Sequence, residues 1–190
     1  EQRLLDEFFS GQGALTTVAN ATLGLMLAIS LCHRPGKRYA IMPSFTFAAT
    51  PLAAMWCGLQ PYFIDIDPET WCLDENQVEK TLKDLGDEVA IIVPYATFGT
   101  GIDLSRYAAW HDAGVPVVVD AASSLGTVIN GCHFGSGFPG AVVFSLHATK
   151  SFPIGEGGVV YSGDSDLIVR LRQAANFGFT PERVSALLGL

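Results

Sequence analysis

Short apolar runs alternate along the chain with longer stretches in which apolar and polar residues recur at helical spacing. Most of the apolar runs are rich in valine and isoleucine and are apolar at consecutive positions. Strands of that kind are buried on both faces, so the pattern predicts a three-layer α/β/α fold with a mainly parallel sheet. The predicted strands are Tyr39–Met42, Tyr62–Ile66, Val89–Val93, Val115–Val119, Ala141–Phe144 and Val159–Tyr161. The predicted helices are Ala21–Leu31, Ala48–Cys57, Glu75–Leu82, Leu104–Ala113 and Ser165–Ala175.

One connection leaves no room for a proper helix of the kind that usually joins parallel strands. Between Phe144 and Val159 the sequence reads SLHATKSFPIGEGG, and its proline and three glycines predict a loop. Parallel strands are usually joined through an α-helix, which this proline- and glycine-containing stretch does not favour. We therefore expect the last strand to run antiparallel to its neighbours.

The composition limits the classes of partner. The net charge of −8 argues against a broad basic face for nucleic acid. No apolar run is long enough to cross a membrane, and the four cysteines form no Cys-x-x-Cys pair, which favours a cytoplasmic protein with reduced thiols. Because 49% of the residues are hydrophobic, we expect either a deeply buried sheet or a surface that another subunit or segment covers.

Polar and aromatic residues follow four of the predicted strands, where an open α/β sheet binds its ligands. They are Phe45, Phe47, Tyr95, Asp120 and Ser145, with Lys150 in the loop after Ser145. The helix predicted from Ala21 opens with Asn20-Ala21-Thr22, and the free N–H groups at such a helix start favour a phosphate.

Each of these residues also has an ordinary structural interpretation. Asp120 could cap a helix or form a structural ion pair, and a loop lysine such as Lys150 is usually a solvated charge. Together, however, they supply what pyridoxal 5'-phosphate (PLP) requires: a lysine amine for attachment, a carboxylate against the ring nitrogen, an aromatic face and phosphate donors. The histidines and cysteines show no metal-ligand spacing, so no metal site is predicted.

Four segments resemble the DegT/DnrJ-type sugar aminotransferases, PLP enzymes of the aspartate-aminotransferase fold (fold type I). FSLHATKSFPIGEGG, residues 144–158, is similar to the stretch in which the family's lysine holds PLP. The resemblance implies that Lys150 is that lysine and that Ser145 is a phosphate ligand. VVDAASSLG, residues 118–126, implies that Asp120 faces the pyridine nitrogen and that Ala122 lies against the ring.

Two further segments complete the implied cofactor site. PSFTFAAT, residues 43–50, implies that Phe47 stacks on the ring, and Asn20-Ala21-Thr22 resembles the turn that grips the phosphate. Ser123 is implied as a further cofactor contact, at a position where His or Gln is common in the family. Ala21 stands where Gly is usual, and PYATFG, residues 94–99, lacks the His of the related PVHxxG segment.

The resemblance also implies an activity. It is PLP-dependent transfer of an amino group from an amino acid such as glutamate to a keto sugar, nucleotide-linked, in cell-surface polysaccharide or secondary-metabolite biosynthesis. It implies a homodimer, and it identifies residues 1–190 as the PLP-binding large domain of a longer protein that continues into a small C-terminal domain. Two alternatives stay open: a related PLP sugar dehydratase, which carries His in place of the lysine, and a regulatory or scaffold protein that keeps the fold without turnover.

Overall fold

The protein alternates strands and helices along most of the chain, for which a computed structural model describes residues 1–176 and 178. The strands are β1 (Ala14–Val18), β2 (Tyr39–Pro43), β3 (Gln60–Ile64), β4 (Val89–Ile92), β5 (Val118–Asp120), β6 (Val128–Ile129), β7 (Cys132–His133), β8 (Ala141–Ser145) and β9 (Gly158–Ser162). The helices are α1 (Gln2–Phe9), α2 (Ala21–Cys32), α3 (Ala49–Trp56), α4 (Glu75–Leu85), α5 (Ser105–Asp112) and α6 (Ser165–Ala175).

The central sheet has the strand order β1-β9-β8-β5-β4-β2-β3. Its two parts, β1-β9-β8-β5 and β4-β2-β3, join through parallel bridges from Ile92 to Val117 and from Tyr95 to Asp120. The pairs β2–β3, β2–β4 and β5–β8 are parallel, whereas β9 runs antiparallel to both β1 and β8. The expected mainly parallel sheet with an antiparallel last strand is confirmed.

Helices cover the sheet on both faces, and each face has its own apolar core. On one face α2, α3 and α6 pack through residues such as Leu25, Ala53 and Ile168. On the other face α1, α4 and α5 contribute residues such as Phe9 and Tyr107. The predicted three-layer α/β/α architecture is therefore confirmed. Within the described residues, no helix is both long enough and apolar enough to span a membrane.

The structure differs from the sequence prediction mainly at the margins of the sheet. Strand β3 begins at Gln60 and includes Pro61, whereas the prediction began at Tyr62. Because β3 is an edge strand, a proline without an N–H is tolerated there. Elements α1, β1, β6 and β7 were not predicted. The assignment of residues 1–190 to one PLP-binding domain stays a prediction, since residues 177 and 179–190 lie outside the described part.

Candidate active site

A cavity of about 360 Å³ lies at the carboxyl ends of β5 and β8, against the start of α2. It is lined by Asn20, Ala21, Thr22, Leu25, Phe47, Ala49, Tyr95, Asp120, Ala122, Ser145, His147, Thr149, Lys150 and Glu156. These include every cofactor residue expected from the sequence except Ser123. A larger cavity of about 750 Å³ lies between the Asp67–Asn76 region and α5, and it contains none of them. The sequence-predicted residues thus meet in one place, of a size typical for a small ligand.

Asp120 is the last residue of β5 and is 2% exposed. One carboxylate oxygen, Oδ2, accepts a hydrogen bond of 2.6 Å from the Thr50 hydroxyl, and Oδ1 accepts one of 3.1 Å from the backbone N–H of Ala122. No cationic side chain forms an ion pair with Asp120 among the described residues. Burial therefore raises the pKa of this carboxyl group, and the hydrogen bonds and the charge of Lys150 only partly oppose the rise. A buried carboxylate without an ion pair is suited to a cationic partner from outside the chain.

Thr50 is a site residue that the sequence reasoning missed. It is fully buried in the first turn of α3, and its hydroxyl also lies 2.9 Å from that of Thr46. The signal was present in the segment PSFTFAAT, which ends at Thr50. Without the sheet order, nothing showed that its last threonine meets a strand end 70 residues further along.

Lys150 lies in the loop between β8 and β9, with its side chain at the cavity. Its Nζ donates a hydrogen bond of 3.2 Å to the Ser123 hydroxyl. Backbone hydrogen bonds hold the loop closed, among them Lys150 N to His147 O at 2.9 Å and Ala148 N to Gly155 O at 2.8 Å. The loop is therefore an ordered support for the lysine. Ser123 does not line the cavity, but its hydroxyl is hydrogen-bonded to the lysine amine that does.

The start of α2 forms another wall of the cavity. Asn20 caps the helix, its side chain accepting a hydrogen bond of 2.9 Å from Leu23 N–H. The first N–H groups of a helix have no partner within it, so those of Ala21 and Thr22, at the positive end of the helix dipole, are suited to bind an anion in the cavity. Ser145, 7% exposed at the end of β8, adds a hydroxyl. Ala21 has helical rather than left-handed backbone, so an alanine fits where a glycine is usual in the family.

The ring faces that PLP requires are also present. Phe47 lines the cavity with a side chain that is 70% exposed, and Ala122 lines it beside Asp120. Tyr95 lies on the same wall as Asp120; the sequence showed it as a strand-end residue but assigned it no role. A buried carboxylate without an ion pair, a lysine amine, a helix start and apolar faces around one cavity fit PLP.

Comparison with known proteins agrees with this geometry. The model of the DegT/DnrJ/EryC1/StrS aminotransferase family matches residues 2–189, and the chain belongs to this family. The described fold is that of the large domain of fold type I PLP-dependent aminotransferases.

Two solved structures and one curated relative illustrate the likeness. A crystal structure from Bacillus cereus ATCC 10987, assigned as a PLP-dependent aminotransferase, has a TM-score of 0.94 and 52% identity over 96% of this chain and 50% of that chain. DesI, solved in the presence of its TDP-sugar product, has a TM-score of 0.79 and 36% identity over 96% of this chain and 47% of that chain. The L-glutamine:2-deoxy-scyllo-inosose aminotransferase of Streptomyces fradiae is 31% identical over 80% of this chain and 35% of its own length. The chain spans about half the length of the curated relatives that it matches first.

Proposed function

We propose that the protein is a PLP-dependent aminotransferase that transfers an amino group from an amino acid to a keto sugar. The observation that carries the proposal is the placement of Asp120 and Lys150 at one cavity beside the start of α2. When bound, PLP supplies an electron-accepting ring and carries the amino group between the two substrates. The residues of the chain would hold the cofactor, orient it and move protons.

Asp120 would hold a proton on the ring nitrogen. Its carboxylate is buried and has no ion pair among the described residues, so a protonated ring nitrogen would be its cationic partner. Thr50 and Ala122 occupy the two carboxylate oxygens with one hydrogen bond each, which fixes the orientation of the group. By holding this proton, Asp120 would keep a positive charge on the ring, which would make the ring a better electron acceptor.

Lys150 would attach the cofactor through its amine and, once released, would move a proton as a general base. The hydrogen bond from its Nζ to Ser123 directs the amine along the cavity wall. The N–H groups of Ala21 and Thr22, with Ser145, would bind the phosphate, and Asn20 would fix the helix start that presents them. Phe47 and Ala122 would lie against the ring.

The substrates that we propose are a nucleotide-linked keto sugar and glutamate as the amino donor, in polysaccharide or secondary-metabolite biosynthesis. DesI was solved with a TDP-sugar product, and the relative from Streptomyces fradiae is named for the aminated keto cyclitol and for L-glutamine. Both names support a polyhydroxylated ketone as acceptor. They also make glutamine the donor to compare with glutamate.

We further propose a homodimer. Several large apolar residues on α3 and just before it are exposed, among them Phe47 at 70%, Met55 at 56% and Trp56 at 57%. Clusters of exposed apolar side chains mark an interface in many proteins. A two-fold interface over α3 would bury the same side chains from both subunits and would place the partner next to each cavity.

The proposal is tested by following the absorbance of the PLP-loaded protein. Glutamate or glutamine should convert the cofactor to its amino form, pyridoxamine phosphate, with loss of the visible band. Adding a nucleotide-linked keto sugar should then restore the band. A visible band that no amino donor changes would identify a protein that keeps the fold without turnover. Loss of water from the sugar, without amino transfer, would identify a dehydratase; Lys150, present where those enzymes carry His, argues against it.

A further inference from the structure

Tyr95 is the strand-end residue next to Asp120 that the proposed roles leave unused. It follows β4 and is the register partner of Asp120 in the neighbouring parallel strand. Two backbone hydrogen bonds fix this register: Asp120 N to Pro94 O at 2.8 Å and Ala96 N to Asp120 O at 2.9 Å. Register partners direct their side chains to the same face of a sheet, and both line the cavity. The phenol is therefore held beside the carboxylate, with only 9% of the residue exposed.

The surroundings of the phenol keep its proton in place. Burial raises the pKa of Tyr95, and the negative charge of Asp120 raises it further. The nearby Phe98 backbone N–H and Ser123 hydroxyl partly lower the pKa, and the nearby Cys72 thiol raises it slightly. Tyr95 is thus a neutral O–H donor at physiological pH.

The order of the strands indicates which part of the cofactor this donor meets. Across the sheet, β8, β5 and β4 are consecutive, so Ser145 and Tyr95 lie on opposite sides of Asp120. In PLP, the phosphate arm and the phenolic oxygen leave the ring on opposite sides of the axis from the ring nitrogen to the carbon that lysine attacks. With the nitrogen at Asp120 and the phosphate on the Ser145 side, the phenolic oxygen belongs on the Tyr95 side.

Ser123 is the other polar residue on the Tyr95 side of Asp120, and its side chain is short. The family commonly has His or Gln at this position, side chains that reach further than a serine hydroxyl. Here the Ser123 hydroxyl accepts a hydrogen bond of 3.2 Å from Lys150 Nζ. The phenol of Tyr95 lies near Ser123 and, unlike Ser123, lines the cavity, so it adds a second polar group on this side of Asp120.

We propose that Tyr95, supported by Ser123, donates a hydrogen bond to the phenolic oxygen of the cofactor and so sets the pH at which the lysine-bound cofactor gains or loses its proton. This inference rests on the proposed function. This hydrogen bond would stabilise the anionic phenolic oxygen, so the Lys150 nitrogen attached to the cofactor, which shares a proton with that oxygen, would be less basic. The groups that face this position are Asp120 from β5, Lys150 from the loop after β8, and Cys72.

The test is a pH titration of the visible absorbance of the PLP-loaded protein. In Tyr95→Phe, which keeps the ring and removes only the hydroxyl, we expect the midpoint to rise by about one pH unit, as for loss of one hydrogen bond to a charged group. Tyr62→Phe is the matched control, because Tyr62 lies on the edge strand β3 and packs against Tyr39 rather than the cavity. Its midpoint should equal that of the parent protein.

A second variant separates a chemical role from a structural one. In Tyr95→Phe combined with Ser123→Gln, the longer amide should supply the missing donor and return the midpoint towards the parent value. If the midpoint of Tyr95→Phe equals that of Tyr62→Phe, or if Ser123→Gln brings no return, the inference is wrong while the proposed function stands. If the parent protein attaches no cofactor at Lys150, the proposed function itself fails.

Discussion

The hydroxyl of Thr50 donates a 2.6 Å hydrogen bond to Oδ2 of Asp120, and both residues are almost fully buried. The bond joins the first turn of α3 to the end of β5. It is the shorter of the two hydrogen bonds to this carboxylate and the main polar opposition to the effect of burial on its pKa. A helix start therefore positions the group that we propose for the ring nitrogen.

Removing this bond should weaken cofactor binding. In Thr50→Val, which keeps the shape of the side chain, Asp120 loses a hydrogen bond to a buried charged group, an interaction of about 1.5–3 kcal/mol. We expect the dissociation constant of PLP to rise roughly 10- to 100-fold in a fluorescence titration. Thr46→Val is the control, because Thr46 contacts Thr50 and not Asp120, and it should have the smaller effect. Equal affinities for the two variants would contradict the role given to Thr50.

Asp120→Asn should stabilise the PLP-free protein while abolishing its chemistry. Burial raises the pKa of Asp120 above the value of 3.8 for the free side chain, so the folded state binds this proton more tightly than the unfolded state. The resulting contribution to stability is complete below the unfolded pKa and is lost as the pH rises through the folded pKa. The neutral amide removes that loss, and its Nδ2 can donate to the Thr50 hydroxyl, which can then donate to Thr46.

Urea unfolding of the PLP-free protein at several pH values measures this effect. The free energy of unfolding of Asp120→Asn should depend less on pH above 3.8 and should exceed that of the parent by on the order of 1 kcal/mol at neutral pH. The amino-transfer rate should meanwhile fall by orders of magnitude. A variant less stable than the parent at neutral pH would show that the buried carboxylate does not destabilise the folded PLP-free protein.

Gly158→Ala should disturb the start of α2, where we propose that the phosphate binds. A Cβ at Gly158 would lie 2.8 Å from the backbone N of Ala21 and 2.9 Å from the carbonyl carbon of Asn20, so the start of α2 would have to move away from β9. We expect a loss of about 1–3 kcal/mol in stability and weaker binding of PLP.

Gly24→Ala is the matched control within the same helix. Its added Cβ would meet only side-chain methyl groups, at 3.1–3.2 Å, and the change raises helix propensity. Calorimetry gives the stability of both variants, and competition by inorganic phosphate reports on the anion site. If PLP affinity falls as much in Gly24→Ala as in Gly158→Ala, the start of α2 is not the specific target.

Substitution on the exposed face of α3 should reduce self-association. Trp56 is 57% exposed at the end of α3, and a charge there opposes burial against a second copy. In light scattering, Trp56→Asp should shift the protein towards monomer at micromolar concentration. Val169→Asp, on α6 and 47% exposed, should leave the association unchanged. A parent protein that is monomeric over the same concentration range would contradict the proposed homodimer.

The sequence predicted the centre of the sheet and missed its margins, for reasons that can be named. Strands β4, β8 and β9 are buried on both faces, so consecutive apolar residues mark them. Strand β1 is an edge strand with two threonines, and Thr17 bonds Glu1 rather than the core. Helix α1 has only 8 residues, half of them polar, and its buried residues are Leu5 and Phe9. The Phe9 ring stacks on Tyr161 at 3.9 Å.

The hairpin β6–β7 was missed although it carries a turn signal. Asn130 and Gly131 both have left-handed backbone between the two short strands, the conformation that Asn-Gly favours in two-residue hairpins. The strands themselves have two residues each, too few for any periodic pattern.

Some residues of the candidate site could likewise be found from the sequence, and others could not. Asp120 and Ser145 could be found because each ends an apolar strand, and Lys150 because the loop after Ser145 is short and distinctive. Thr50 and Tyr95 could not be assigned roles, because their contacts depend on the lateral order and register of strands. Residue patterns along the chain determine which segments are strands, whereas the side-by-side pairing of Tyr95 with Asp120 arises only on folding.

The central claim is that Lys150 holds the cofactor, and chemical trapping tests it most directly. The PLP-loaded protein is reduced with borohydride, digested and mapped by mass spectrometry. The account predicts one pyridoxyl group, on the peptide that contains Lys150, and none after Lys150→Ala. A pyridoxyl group on Lys37, Lys80 or Lys83 instead, or unchanged labelling in Lys150→Ala, would contradict it.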